Sequence, residues 1–298
     1  MQELAFDAQV AVVTGAGGGL GRQYALALAA RGARVIVNDV GSSVSGEGAD
    51  EGPAAAVARE ITDAGGEAVP DAHSVATAAG GAAIIAPAVE AFGRIDILIN
   101  NAGVLRDKAF HNLTDELLDP VIDVHLKGAF NVTRPAWPKM REQGYGRVLM
   151  ATSNSGLLGN FGQSNYGAAK MGLVGLTRVL AAEGAKYNIK VNAIAPLART
   201  RMTEELLGPL VTKLAPELVA PVAVWLVHRD VGVSGEVYSA AGGRVARFFT
   251  GLTRGYYNPA LTAEDVRDHF DEVRDQSGYI VPAGPADEYA QLMEIWGS

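Results

Sequence analysis

Residues 10–39 read VAVVTGAGGGLGRQYALALAARGARVIVND, and their order decides the fold. Val10 to Thr14 is an apolar, β-branched run of the kind that makes a strand buried on both faces. Gly15, Gly17, Gly18, Gly19 and Gly21 follow, and then Leu20, Tyr24 and Leu28, with Ala25 and Ala29, recur at helical spacing. Arg34 to Asn38 is a second buried strand, closed by Asp39. Strand, glycine turn, helix and strand within about thirty residues form a unit with a known physical use. Glycine lets the backbone turn tightly and approach a pyrophosphate, and the helix N-terminus then attracts its negative charge.

Asp39 refines the expected ligand. A carboxylate at the end of the second strand accepts hydrogen bonds from the adenosine ribose hydroxyls and repels a 2′-phosphate. The next residues are Val40, Gly41 and Ser42, with no cation among them, and the turn has no basic residue before Gly19. Both points favour NAD over NADP.

Beyond this unit the pattern continues. Strand-like runs at 95–99, 147–152 and 190–195 alternate with helical segments, which predicts an α/β fold with a doubly wound parallel sheet. At 298 residues the chain is long enough to bury a large core. Its net charge of −8 disfavours nonspecific nucleic-acid binding, and no apolar run is long enough to span a membrane. Cysteine is absent, which excludes disulfides and thiolate catalysis and sets the expectation of a cytoplasmic protein. His73, His111, His125, His228 and His269 are not spaced as metal ligands, so no metal is expected. Residues 41–52 (GSSVSGEGADEG) read as a mobile surface loop, and 206–221, broken by Pro209, Pro216 and Pro221, as a lid segment or a packed helix pair.

Tyr166 and Lys170 stand four residues apart in YGAAK, and Ser153 lies thirteen residues before the tyrosine. Residues at i and i+4 share a helix face, so a phenol and an ammonium can reach one substrate. Tyrosine titrates near ~10 in isolation, and a nearby cation favours its phenolate. With a serine hydroxyl to hold a substrate oxygen, the trio suits moving a proton on or off an oxygen bound to carbon. It does not suit acyl transfer, which needs a base beside the serine.

Taken together, TGAGGGLG at 14–21, NNAG at 100–103, the Ser153–Tyr166–Lys170 spacing and IKVNAIAP at 189–196 resemble the short-chain dehydrogenase/reductase family over residues 8 to about 240. The resemblance implies a Rossmann-type domain over 1–240 and hydride transfer with a nicotinamide cofactor. It implies that Gly15, Gly17, Gly19, Leu20 and Gly21 cradle the cofactor. It puts Asn101, Ala102 and Gly103 near the adenosine ribose and Ala195 and Pro196 beside the nicotinamide. Tyr166 would exchange the proton, Lys170 would lower its pKa and hold the nicotinamide ribose, and Ser153 would orient the substrate oxygen. It also implies a homo-oligomer, dimer or tetramer.

Further segments, NDVG, GVLRDKAF, VHLKGAFNVT, GNFGQSNYGAAK and IAPLARTRMT, resemble the branch of that family that oxidises (3R)-hydroxyacyl-CoA with NAD in D-specific β-oxidation. The substrate implied is an acyl-CoA, fatty or with a sterol side chain. A free hydroxysteroid or other secondary alcohol, or 3-ketoacyl reduction, remains the alternative. A dinucleotide sensor without chemistry is disfavoured because Tyr166 and Lys170 are both present. Two departures stand out. His125, counted with the catalytic candidates, occupies a position where many members carry asparagine for a proton relay through water, and the D-specific β-oxidation branch also reads histidine there. His73, followed by Ser74 and Val75 on the expected cofactor side, replaces an aspartate that usually contacts adenine. The remaining residues, 241–298, form an extension with a helix expected over 262–273 and a basic, aromatic stretch at 242–257. That stretch reads as pocket wall, anion contact or dimer packing.

Overall fold

The run at 10–14 is strand β1 (Val10–Thr14), every residue of it buried. In the computed structural model, which describes residues 3–48, 50, 52–199 and 212–297, the elements then alternate as the sequence pattern requires. They are α1 (Gly19–Ala29), β2 (Arg34–Asn38), α2 (Gly52–Asp63), β3 (Glu67–Asp71), α3 (Ala78–Phe92) and β4 (Ile97–Asn100). After them come α4 (Asp115–Ile122), α5 (Gly128–Gln143), β5 (Gly146–Ala151), α6 (Asn154–Leu158), α7 (Ser164–Gly184) and β6 (Ile189–Leu197). The sheet ends with α8 (Ala220–Leu226), β7 (Val237–Ala241) and β8 (Arg244–Phe248).

Eight strands form one sheet in the order β3-β2-β1-β4-β5-β6-β7-β8. Each neighbouring pair from β3 to β7 is parallel. Helices α1, α2 and α8 cover one face and α3, α5 and α7 the other. The fold is therefore a doubly wound, Rossmann-like α/β sheet. The strand order reverses between β1 and β4, which opens a crevice at the C-terminal ends of the strands. Pro70 lies in β3, and the strand tolerates it because β3 is an edge. At the other edge β7 turns into β8 through Gly242 and Gly243, both at positive φ, as two-residue hairpins require.

Tyr24 of α1 is fully buried in the core, and its hydroxyl has no partner among the described residues. Burial pushes its pKa well above the ordinary tyrosine value. An orphaned buried hydroxyl costs about 1–3 kcal/mol. Tyr24→Phe is therefore expected to stabilise the protein by about 1 kcal/mol. A lower denaturant midpoint in the variant would contradict this.

The loop at 41–52 is anchored where it is described. Leu105 N donates to Val44 O at 2.9 Å, Arg106 Nε to Ser45 O at 2.8 Å and Asp50 N to Val40 O at 2.9 Å. The first two bonds tie the described part of the loop to the segment after β4, and the third closes the loop on itself. Of the segment read as a lid, 206–211, with Pro209, lies outside the described residues. Pro216 opens a short 3-10 turn, and Pro221 sits in the first turn of α8. No described helix is long and apolar enough to cross a membrane.

The chain divides into two compact units, Met1–Arg247 and Phe248–Ser298. The second contains α9 (Ala263–Asp268), α10 (Phe270–Arg274) and α11 (Pro285–Gly297). Thr262 caps α9 in a reciprocal box with Asp265. The single helix expected over 262–273 breaks at His269. That residue leaves helical geometry, bonds Glu272 through Nδ1 at 2.8 Å and stacks on Tyr256 with ring centroids 4.0 Å apart.

Candidate active site

The glycine turn sits in the crevice at the end of β1. Gly15 takes φ +64 and Gly19 φ +51. A side chain on Gly15 would meet Ala102 Cα at 2.8 Å, and one on Gly21 would meet the Gly15 carbonyl oxygen at 2.1 Å. These glycines are therefore fixed by backbone approach. Gly18 caps α1 without a side-chain bond, and no acid stands in the first turn, so the N-terminal N–H groups face the crevice uncapped. Leu20 is half-buried and packs onto the core below.

Thr14 and Asn101 brace this turn. Thr14 Oγ1 accepts from Asn101 N at 3.0 Å and Ala102 N at 3.1 Å and donates to Ile99 O at 3.3 Å. The Asn101 amide donates to Thr14 O at 3.0 Å and Gly15 O at 3.1 Å. Thr14 was not singled out from the sequence. Its signal is that it ends β1 directly before the turn.

Asp39 faces the turn from the end of β2. Its Oδ2 accepts from Gly17 N at 2.9 Å and its Oδ1 from Gly41 N at 2.8 Å. One strand further out, the Asp71 carboxylate accepts from Asn38 Nδ2 at 2.6 Å and lies 2.7 Å from His73 Nδ1. The Ser74 hydroxyl accepts from Ala76 N at 3.2 Å. Val75 is buried, and its carbonyl accepts from Asn131 Nδ2 at 2.9 Å.

The side chains expected to handle the proton converge from the end of β5 and from α7. Ser153 is the N-cap of α6. Its Oγ accepts from Ser155 N at 3.2 Å and donates to Asn154 Oδ1 at 3.2 Å. Tyr166 is half-buried on α7, with the Lys170 ammonium 5.4 Å from its ring centroid. Lys170 is 4 % exposed, and its Nζ donates to Ala151 O at 2.5 Å. Burial draws the Lys170 pKa down to about 7. Burial also raises that of Tyr166; the neighbouring Ser153 hydroxyl opposes this and the Asp107 carboxylate adds to it. In the protein alone, burial thus prevails over the lowering expected from the cation. Ala195 and Pro196 lie at the C-terminal end of β6, beside β5, where Thr152 N donates to Ile194 O at 2.8 Å.

His125 joins the group from the other side. It lies in a five-residue π-turn, Asp123–Lys127, inserted between α4 and α5. Such turns re-aim side chains and recur at functional sites. Its ring meets Tyr166 edge-on at 5.1 Å. Nε2 lies 2.8 Å from the Val104 carbonyl oxygen and 3.1 Å from the Val104 N–H, and Nδ1 has no partner among the described residues. Burial, with Lys170 nearby, holds its pKa well below the usual histidine value, so the ring is neutral. A side chain on Gly103 would come within 2.3 Å of this ring, which explains the glycine there.

Asn165 locks the tyrosine-bearing helix to its surroundings. It is buried, donates to Arg106 O at 2.9 Å and Leu117 O at 2.8 Å, and accepts from Tyr166 N at 2.7 Å. Nothing local in the sequence distinguishes it from a solvent-facing asparagine. Lys108 N donates to Gly162 O at 2.7 Å, and Gln163 Nε2 to Asp107 Oδ2 at 2.7 Å. The loops after β4 and α6 are thus tied together beside Ser153 and Tyr166.

The sequence profile of the short chain dehydrogenases matches residues 9–208. The chain belongs to the short-chain dehydrogenase family. As a short-chain dehydrogenase it is an oxidoreductase, and proteins of this family generally bind NAD or NADP. It is 51% identical over 272 residues to a short-chain type dehydrogenase/reductase of Mycobacterium tuberculosis, covering 91% of this chain and 95% of that protein. It is 38% identical over 253 residues to a hydroxyacyl-CoA dehydrogenase of the same organism, covering 80% and 78%. The structure of full-length peroxisomal multifunctional enzyme type 2 from Drosophila melanogaster matches this short-chain dehydrogenase with a TM-score of 0.83 at 39% identity. That match covers 98% of this chain and 50% of the other, so the chain spans about half the length of that relative.

Proposed function

We propose that this short-chain dehydrogenase oxidises the 3-hydroxyl of a (3R)-hydroxyacyl-CoA to the ketone with NAD. The observation that carries the reaction is the half-buried Tyr166 paired with the buried Lys170 beside Ser153 at the mouth of β5. The resemblance to a hydroxyacyl-CoA dehydrogenase supports the substrate class.

The residues present fit the cofactor. A side chain on Gly17 would meet Pro53 Cβ at 2.7 Å and Asp39 Oδ2 at 2.9 Å, so the turn keeps its backbone bare for a pyrophosphate at the uncapped start of α1. In this reading Gly15, Gly17, Gly19, Leu20 and Gly21 cradle the phosphates, and Asp39 accepts from the adenosine ribose. Ser74, Val75, Asn101, Ala102 and Gly103 line the adenosine side. Ala195, Pro196 and Lys170 hold the nicotinamide half. What a bound nicotinamide supplies is a hydride acceptor.

The protein's part is the proton. Tyr166, as phenolate, takes the proton of the substrate hydroxyl, and Ser153 Oγ holds the substrate oxygen at the right angle. The Lys170 ammonium, when protonated, favours that phenolate. His125 is neutral and acts through position, setting the tyrosine ring and the loop at Val104.

A panel of hydroxyacyl-CoAs differing in length and ring content, assayed for NAD reduction beside free secondary alcohols, tests the reading. Turnover of at least one CoA substrate is expected, and turnover of none would overturn it. The cofactor preference has its own check. Asp39→Ala is expected to raise NADP use by on the order of tenfold, because a charge facing the 2′-phosphate is gone. NAD use should fall, because Gly17 and Gly41 lose their acceptor. An unchanged NADP rate would contradict the role given to Asp39.

The reading includes a homo-oligomer. No described residue of Phe248–Ser298 is buried. Tyr289, Met293 and Trp296 of α11 are 63%, 66% and 58% exposed and follow helical spacing. An apolar stripe of this kind calls for a covering surface, and a second copy of the chain is the occupant proposed. Sedimentation is expected to show a dimer or larger, and replacing Met293 and Trp296 with glutamate should weaken it. A monomer at micromolar concentration would exclude it.

A further inference from the structure

Arg106, in the segment after β4, joins three parts of the fold. Its Nε donates to Ser45 O at 2.8 Å, and a terminal nitrogen donates to Glu116 O at 2.7 Å. Its own carbonyl oxygen accepts from Asn165 Nδ2 at 2.9 Å. Ser45 belongs to the loop that leaves β2, Glu116 to α4, and Asn165 to α7, one residue before the tyrosine. The guanidinium is spent on backbone carbonyls, so what it holds in place is main chain.

The far end of this chain of bonds is the informative one. Tyr166 N–H lies in the first turn of α7, where backbone donors have no partner within the helix. It donates instead to Asn165 Oδ1 at 2.7 Å. The Asn165 amide carries two hydrogens and uses both, on Arg106 O and on Leu117 O at 2.8 Å. Arg106 and Leu117 therefore dictate how Asn165 points, and Asn165 fixes the start of the helix that carries Tyr166.

The near end is the residue expected to accept from the adenosine ribose. Asp39 opens the loop, and its Oδ1 accepts from Gly41 N at 2.8 Å. Within the loop Ser43 N donates to Glu47 O at 2.9 Å, and Val44 O accepts from Leu105 N at 2.9 Å, beside the arginine. The tip lies against Val104, since a Cβ on Gly46 would meet Val104 Cγ1 at 3.0 Å. Hydrogen bonds and short stretches of chain thus connect Asp39 to the backbone of Tyr166. Coupling between sites travels along packed, hydrogen-bonded elements of this kind.

We propose that Arg106 is a positioning residue that relays the seating of the adenosine ribose at Asp39 to the start of α7. The cofactor then sets the Tyr166 backbone through Ser45, Arg106 and Asn165. The proposal rests on the NAD reading above.

The probe is ADP-ribose, the part of NAD without its nicotinamide, and the readout is hydrogen exchange of the Tyr166 amide on the whole chain. That amide bonds Asn165 Oδ1, so its exchange reports whether Asn165 keeps its place. Saturating ADP-ribose is expected to slow this exchange by about tenfold in the unmodified protein. Arg106→Met should still bind ADP-ribose but lose the slowing, and its kcat with NAD should fall about tenfold with a smaller change in KM. Arg106→Lys, which keeps a cation for the Ser45 carbonyl, should recover part of both. Gly46→Val tests the loop end with Arg106 intact, because φ +87 and the Val104 contact drive a β-branched residue off that position. It too should lose the slowing. A role confined to stability would lower the denaturant midpoints of the variants and leave the slowing in place. Slowing that survives in Arg106→Met or in Gly46→Val, or its absence in the unmodified protein with ADP-ribose bound, would overturn the proposal and leave the cofactor reading intact. Failure of the unmodified protein to bind ADP-ribose would overturn both.

Discussion

Tyr166→Phe is expected to lower kcat/KM for hydroxyacyl-CoA oxidation by on the order of 10³-fold, since a positioned acid–base group contributes roughly 10²–10⁴. The variant deletes one oxygen from a ring that is held on both sides. His125 packs edge-on against it, and the Asn165 side chain accepts from its backbone N–H. NADH affinity and thermal stability should therefore change little. The sign of the pH dependence follows from the same environment. Burial raises the Tyr166 pKa, so oxidation, which needs the phenolate, should quicken as pH rises from neutral into the alkaline range. Reduction, which needs the phenol, should slow as pH rises toward that same pKa. Lys170, with its pKa near 7, is largely neutral across most of that range and assists the phenolate chiefly at its lower end. In the variant the residual rate should lose this slope. Retention of more than about a tenth of the activity would remove Tyr166 from the role given to it.

Arg147→Met is expected to cost about 3–5 kcal/mol of stability, a large share of what a folded domain has. Arg147 lies in β5 with 2% of its surface exposed. Its guanidinium donates to the carbonyl oxygens of Gly146 and Asn188 at 2.8 Å, Arg229 at 2.9 Å and His228 at 3.3 Å. It also lies over the Tyr145 ring at 4.3 Å. These acceptors come from the ends of β5, the turn before β6 and the segment after α8, so one cation closes the N-terminal rim of the sheet. Burial lowers its pKa, which marks the desolvation that its hydrogen bonds must offset. Methionine would fill much of the space and leave those carbonyls without their donor. The denaturant midpoint should fall, with a drop in Tm of roughly 10 °C, while the kinetic constants at low temperature stay close to those of the parent. A midpoint equal to that of the parent would show that water satisfies these carbonyls equally well.

Arg147 also shows what the sequence could not convey. In the run 147–152 it reads as the polar start of a strand, and only the approach of Asn188, His228 and Arg229, distant in sequence, makes it a buried clamp. The glycine turn, Asp39 and the Ser153–Tyr166–Lys170 group were legible because their signals are local: alternation of strand and helix, φ beyond the reach of other residues, and a four-residue helical spacing. The buried amide of Asn165, the π-turn under His125 and the bonds that anchor Val44 and Ser45 depend on contacts across the fold. No periodicity announces them. The break at His269 likewise interrupts a pattern that looks continuous, because the ring finds Tyr256 and Glu272 as partners.

The buried Lys170 has a consequence for how the protein exchanges protons with its solvent. In an unfolded chain its amine stays charged until about pH 10.4, whereas in the folded protein it gives up its proton near 7. Between those values the unfolded state binds more protons, so stability contributed by this residue rises with pH, and its burial costs most below neutrality. At a pH of about 8.5 unfolding must therefore take up close to one proton at this position. The heat of unfolding measured by calorimetry should then include the ionisation heat of whatever buffer supplies that proton, and should differ between phosphate and Tris. In Lys170→Met this contribution to the difference disappears.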